Sequence, residues 1–130
     1  MDYIILDLEW NQGSREKDRE LTVEIVEIGA VKYSEQMEQI SEFHGLIKPQ
    51  IYREMHKFTE ELIHLDMKEL QSGEAFPEVI SKFLAWCREG EQFLFCTWGT
   101  QDLTELQRNM KYYGMEPLSD GPIPYCKAIF

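Results

Sequence analysis

The sequence predicts a single α/β domain: a mixed sheet with three leading antiparallel strands, flanked by helices. Three observations carry this. The N-terminal third holds three stretches rich in β-branched and alternating apolar residues, each closed by a polar turn. Two later stretches repeat apolar residues at helical spacing. Between those two lies a compact apolar run, Phe93-Leu94-Phe95-Cys96-Thr97-Trp98, of the kind that fills a buried strand.

The first strand is Tyr3-Ile4-Ile5-Leu6-Asp7-Leu8-Glu9-Trp10, after which Asn11-Gln12-Gly13-Ser14 opens a polar loop of mixed charge reaching Glu20. Glu24 to Tyr33 and Gln39 to Lys48, joined by a polar turn at Ser34 to Glu38, read as a β-hairpin beside it. Pro49 stops the third strand, because proline cannot donate to a central ladder. Gly29 marks a close backbone approach or a bulge in the second strand. A short helix is expected at Thr59-Glu60-Glu61-Leu62. A longer one starts at Ala75, where Phe76, Val79, Ile80, Phe83, Leu84 and Cys87 form one apolar stripe that Gly90 ends. The helix after Gly99-Thr100 turns Leu103, Leu106, Met110 and Tyr113 inward and stops at Gly114. Pro124 to Phe130 has the pattern of a strand beginning, and an ending on Ala-Ile-Phe predicts a fold that is incomplete at its C-terminus.

Composition excludes several classes. With 130 residues, 43% of them hydrophobic, the chain is large enough for one globular domain with a real core. Its 24 acidic against 13 basic residues give a formal net charge of −11, which opposes loose electrostatic capture of nucleic acid and favours cations. Cys87, Cys96 and Cys126 show no C-x-x-C pairing and are odd in number, so neither a disulfide framework nor a zinc site is signalled, and a reducing cytoplasm is expected. Neither an export signal nor a long apolar run is present in the sequence.

Asp7 and Glu9 are the residues with the strongest chemical meaning. Residues two apart on a strand share a face, so two carboxylates point the same way from an otherwise apolar segment. Either that face meets water on an edge strand, or a divalent cation offsets the repulsion, since Mg²⁺ and Mn²⁺ prefer hard oxygen ligands. Asp102 follows the run Thr97-Trp98-Gly99-Thr100-Gln101 and opens the next helix, where the helix dipole also favours an acid.

Together these segments resemble the DEDD superfamily of 3′-to-5′ exonucleases, specifically its DEDDh-like members, whose catalytic domain has a ribonuclease H-like fold. The first family motif is similar to Asp7-Leu8-Glu9, followed by a strand like Glu27-Ile28-Gly29-Ala30-Val31; the second is similar to Trp98-Gly99-Thr100-Gln101-Asp102. The linking pattern, Phe58-Thr59 to Ile63 and then Phe76 to Trp86, also matches in order. A Trp-Gly before the second-motif acid resembles a branch that acts on RNA 3′ ends and includes relatives of a histone-mRNA-processing exonuclease.

The resemblance implies two Mg²⁺ or Mn²⁺ ions, with Asp7 bridging them, Glu9 on the ion that activates water, and Asp102 supporting the second. Two metals about 3.5 to 4 Å apart stabilise both the attacking hydroxide and the leaving 3′ oxygen of a phosphodiester. Leu8, Trp10 and Trp98 would flank the terminal nucleotide of a single-stranded 3′ end, RNA being favoured over DNA. The third family motif, a histidine followed five positions on by an aspartate, has no counterpart: no histidine follows His64, and only Asp120 among aspartates follows Asp102. His64 with Glu69 has the interval but precedes the second motif; His44 and His56 read as structural or exposed, and Asp120 as a turn residue. The expected function is therefore a metal-dependent exonuclease domain lacking part of its centre. The alternatives are a non-catalytic protein- or RNA-binding module on the same fold, or a sheet completed by self-association.

Overall fold

The computed structural model describes residues 1–12, 21, 23–51, 66–90 and 92–127. The expected loop at Gly13 to Glu20, the helix at Thr59 to Leu62, the pattern Phe58 to Ile63, His56, His64 and the terminal Ala128 to Phe130 lie outside those residues.

The described elements are β1 (Asp2–Gln12), β2 (Val23–Tyr33), β3 (Gln39–Leu46), α1 (Met67–Leu70), α2 (Phe76–Cys87), β4 (Phe93–Thr97), α3 (Gln101–Tyr112) and β5 (Tyr125–Lys127). They form a five-stranded sheet in the order β3-β2-β1-β4-β5. β1 pairs with β2, and β2 with β3, antiparallel; β4 runs parallel to β1, and β5 parallel to β4. The three leading strands are thus antiparallel within a mixed sheet, as the sequence predicts.

Strand boundaries move for identifiable reasons. β1 continues beyond Trp10, because Asn11 and Gln12 pair with Glu24 and Val23. The ladder is irregular between Glu9 and Trp10, where the partners step from Glu27 to Ile25. That is where the bulge lies, not at Gly29, which pairs in register with both Asp7 and His44. β3 ends at Leu46, two residues before the expected Lys48. Ile47 donates instead to the Val26 carbonyl, and Lys48 to that of Glu74, which draws the chain off the sheet before Pro49.

The apolar faces then meet in one core. Ile4, Leu6 and Leu8 of β1, Ile28 and Ala30 of β2 and Phe95 of β4 pack with Phe76, Val79, Ile80 and Phe83 of α2 and with Leu103, Leu106 and Met110 of α3. The alternation of β1 explains this: its even-numbered residues turn to the helices and its odd-numbered ones away. Phe76 and Tyr113 stack at 5.0 Å and tie the two long helices together. Gly114 closes α3 at φ 71°, while the Met115 N–H reaches back to the Met110 carbonyl; a residue without Cβ takes this left-handed turn at no steric cost.

Lys32 and Asn109 are polar residues paired inside the core. Lys32 is 2% exposed, donates to the Trp86 carbonyl, and places its ammonium 4.4 Å from the Trp86 ring centroid and 3.8 Å from Glu89. Asn109 on α3 accepts from the Ile25 N–H at 3.2 Å and donates to the Val23 carbonyl at 3.1 Å, so one side chain serves β2 as a strand would. No described helix is long and apolar enough to cross a membrane.

Candidate active site

β4 pairs with β1 only from Asp2 to Ile5, and the chain leaves the sheet at Thr97. Beyond that point no described strand pairs with the β4 side of β1 at Leu8. Asp102, in the first turn of α3, fills the gap: its Oδ2 accepts the Leu8 N–H at 3.2 Å. A residue 94 positions away in sequence is thereby fixed to the peptide group between Asp7 and Glu9. The turn that delivers it, Trp98 to Thr100, is held by the Thr97 hydroxyl donating to the Gly99 carbonyl.

The face of β1 turned away from the helices carries Asp7 and Glu9. Directly across on β2, Glu9 meets Glu27 and Asp7 meets Gly29; the next strand brings His44 opposite Gly29. Partners directly opposite in an antiparallel ladder share a face, so Glu27 joins the acids of β1. His44 Nε2 lies 2.9 Å from Glu27 Oε2. In the sequence Glu27 stands only within the strand-like run Glu27 to Val31; the β1–β2 register is what sets it opposite Glu9 and diagonal to Asp7.

The electrostatics follow from this crowding. Protein atoms around the Asp7 carboxyl thin its hydration and raise its pKa above the ordinary value, and the Glu27 charge raises it further. Glu9 is raised first by burial, then by Asp7, Glu27 and Asp102. Asp102 is also raised, burial outweighing the Leu8 N–H that favours its charged form. Asp7, Glu9 and Asp102, with the Glu27 carboxylate beside them, form a strongly negative, oxygen-rich environment, the donor chemistry that a hard divalent cation compensates. As the side chains stand, no three His, Cys, Asp or Glu among the described residues converge closely enough to hold a metal ion. The donor type fits a cation, and convergence requires the acids to turn toward one another.

The residues expected to flank a nucleotide divide. Trp98 is 60% exposed in the turn before Asp102. Leu8 is 4% exposed, with its side chain in the core, so at this site it presents backbone rather than a side-chain surface. Trp10 follows the bulge and packs, partly buried, against the core. His44 is on the acidic face, and Asp120 lies in the loop after α3. A separate cleft of about 720 Å³, lined by Leu103, Gln107, Lys111, Met115 and Ile123 among others, sits beside α3 and includes none of the four acids.

The chain matches the family described as exonuclease, RNase_T, over residues 4–126. Among solved structures it is similar to the nuclease domain of 3′hExo, a DEDDh family member bound to rAMP, with a TM-score of 0.75 and 17% identity over 88% of this chain and 60% of that one. It is similar to cell-death related nuclease 4 (CRN-4), with a TM-score of 0.73 and 21% identity over 88% of this chain and 40% of that one. It also resembles E. coli exonuclease I in complex with a 5cy-dA13 oligonucleotide, with a TM-score of 0.73 and 8% identity over 98% of this chain and 27% of that one. The chain thus spans 60% or less of the length of each of these structures. No curated protein matches it significantly.

Proposed function

Because the chain belongs to the RNase_T exonuclease family, whose DEDDh members share its ribonuclease H-like fold, we propose that it is the first- and second-motif part of a metal-dependent 3′-to-5′ exonuclease. Its substrate would be a single-stranded nucleic-acid 3′ end, with RNA favoured. The observation that carries this reading is the hydrogen bond from Leu8 N–H to Asp102 Oδ2, which draws the acid of the second motif to the strand bearing both acids of the first.

Asp7, Glu9 and Asp102 are the residues that would hold Mg²⁺ or Mn²⁺. Bound there, the ions would supply Lewis acidity toward the scissile phosphate and an activated water. The chain's own residues supply the rest. Asp102 is held by a backbone N–H, so the α3 end of the site is oriented before substrate arrives. Glu27, bonded to His44, adds negative charge on the same face. The exposed Trp98 indole offers a stacking surface for a terminal base, worth about 1–3 kcal/mol for a base–aromatic contact. Leu8 would line the subsite through its peptide group, and Trp10 would support it from behind.

A histidine–aspartate pair of the third-motif kind is not among these 130 residues after Asp102. The reading therefore assigns this chain cation and 3′-end binding, with the general base supplied from outside these residues. β5, three exposed residues at the sheet edge, is where self-association would add a strand.

The test is digestion of end-labelled single-stranded RNA and DNA by the chain, with and without Mn²⁺, alongside Asp7→Ala. Mn²⁺-dependent 3′-end binding that is lost in the variant, with weak or no shortening by this chain alone, supports the reading. Shortening that survives Asp7→Ala contradicts it, and tight binding that needs no Mn²⁺ and is unchanged in the variant favours the non-catalytic module.

A further inference from the structure

We infer that Cys96 and Cys126 are a redox-active pair that closes to a disulfide and pins β5 to the sheet. Both are free thiols in this structure. They are direct register partners on the parallel strands β4 and β5. Parallel neighbours in a sheet lie about 4.8 Å apart, inside the roughly 4.4–6.8 Å span of Cα separations that disulfides bridge. Paired residues on parallel strands also turn their side chains to the same face, and Cys126 is near enough to contribute, after burial, to the raised pKa of the Cys96 thiol. The third cysteine has no part in this: Cys87 is the last residue of α2, buried in the core, and burial pushes its thiol up to about 12.

Exposure assigns the order of events. Cys126 is exposed and Cys96 is 8% exposed, with burial pushing the Cys96 thiol up to about 11. A hydroperoxide therefore meets Cys126 first. The Cys126 thiolate attacks a peroxide oxygen, the O–O bond breaks, and sulfenic acid forms with release of hydroxide or alkoxide. The Cys96 sulfur then attacks the sulfenic sulfur. An S–S bond forms, the S–O bond breaks, and water leaves carrying the thiol proton. The two electrons lost by the sulfurs are those gained by the peroxide.

The consequence is local and covalent. β5 has only three residues in its ladder, all exposed, so pairing alone gives it a weak hold. The bond would close the segment from Cys96 to Cys126 into a ring that contains the turn at Trp98 and the whole of α3 with Asp102. A thiol of Cys126 released by reduction frees that edge again. This pairing is independent of any cation or nucleic acid, so it stands or falls separately from the exonuclease reading.

The experiment uses the whole chain treated with hydrogen peroxide at low protein concentration, followed by alkylation, intact mass and peptide mapping without reductant. The expected result is a monomer lighter by two hydrogens before alkylation, one alkylatable thiol of the original three after it, and a Cys96–Cys126 linked peptide. Dithiothreitol restores all three thiols. Cys87→Ser should still form the link, and Cys126→Ser, a change at an exposed position, should not. Oxidation that yields only sulfinic or sulfonic acid at Cys126, only intermolecular Cys126 dimers, or a link involving Cys87 would overturn the inference.

Discussion

The Leu8 N–H donates to Asp102 Oδ2 at 3.2 Å, and through that bond the end of β4, the start of α3 and the acidic face of β1 form one unit. The bond exists because β4 stops pairing with β1 at Ile5, leaving a backbone donor that a carboxylate in the next helix satisfies. The same carboxylate thus has a structural duty and a candidate chemical one, and substitutions separate the two.

Asp102→Asn keeps a side-chain oxygen for Leu8 and removes the charge; Asp102→Ala removes both. The alanine variant is expected to lose about 1–3 kcal/mol, the cost of leaving a partly buried donor unpaired, and the asparagine variant less. Urea unfolding measures the difference. Mn²⁺ binding should fall in both variants alike, because neither carries the carboxylate.

The raised carboxyls at Asp7, Glu9 and Asp102 set a pH dependence. An acid whose folded pKa exceeds its unfolded value binds more protons when folded, so its contribution to stability is complete below the unfolded pKa and is lost as pH rises through the folded one. The metal-free chain should therefore lose stability as pH climbs from the ordinary values of 3.8 for Asp and 4.5 for Glu through the raised values. Asp7→Asn and Glu27→Gln should raise Tm at neutral pH, with the gain shrinking on acidification. Thermal melts across that range in chelator check it; a Tm for Asp7→Asn below that of the unmutated chain at neutral pH would contradict it.

Gly29 stands between Asp7 and His44 in the ladder. A Cβ there would meet only the Asp7 carbonyl, at 3.8 Å, so a side chain has room and would stand over the acidic face. Gly29→Val should leave folding intact, since a β-branched residue suits a strand. It should weaken Mn²⁺ binding by about tenfold, equivalent to ~1.4 kcal/mol. Comparing its melt with its Mn²⁺ titration tests both halves.

Asn109 holds α3 to β2 through two backbone groups. Asn109→Ala leaves a buried N–H and a buried carbonyl without this partner, and a loss of about 2–4 kcal/mol is expected. Asn109→Asp keeps the acceptor but turns the donor to Val23 into a second oxygen, so it should be destabilised most where the acid is ionised. Denaturant midpoints at two pH values distinguish the cases.

The parts of this fold set by local periodicity were legible in the sequence. The alternation along β1, the apolar stripe of α2 and the Gly114 stop each follow from neighbours within a few residues. The grouping of Asp7, Glu9 and Asp102 was legible only as spacing and resemblance, because the bond joining Leu8 to Asp102 depends on where β4 ends. Glu27's place at the site is not legible locally, because it depends on the register of β1 with β2, including the step at Glu9/Trp10. Lys32 and Asn109 belong to residue types seldom fully buried, and the Trp86 carbonyl and the backbone groups of β2 that they bond account for their burial. The resemblance puts Leu8 and Trp10 beside the nucleotide, yet the alternation of β1 sends both side chains toward the core.

The most direct measurement of the central claim is an electron paramagnetic resonance titration of Mn²⁺ into the chelator-treated chain and into Asp7→Asn and Asp102→Asn. The account predicts saturable binding with a midpoint below about 1 mM, in the range of protein carboxylate sites, weakened at least about tenfold by either substitution, a cost of ~1.4 kcal/mol. Absence of saturable binding by the unmutated chain, or equal binding by the Asp7→Asn variant, would contradict it.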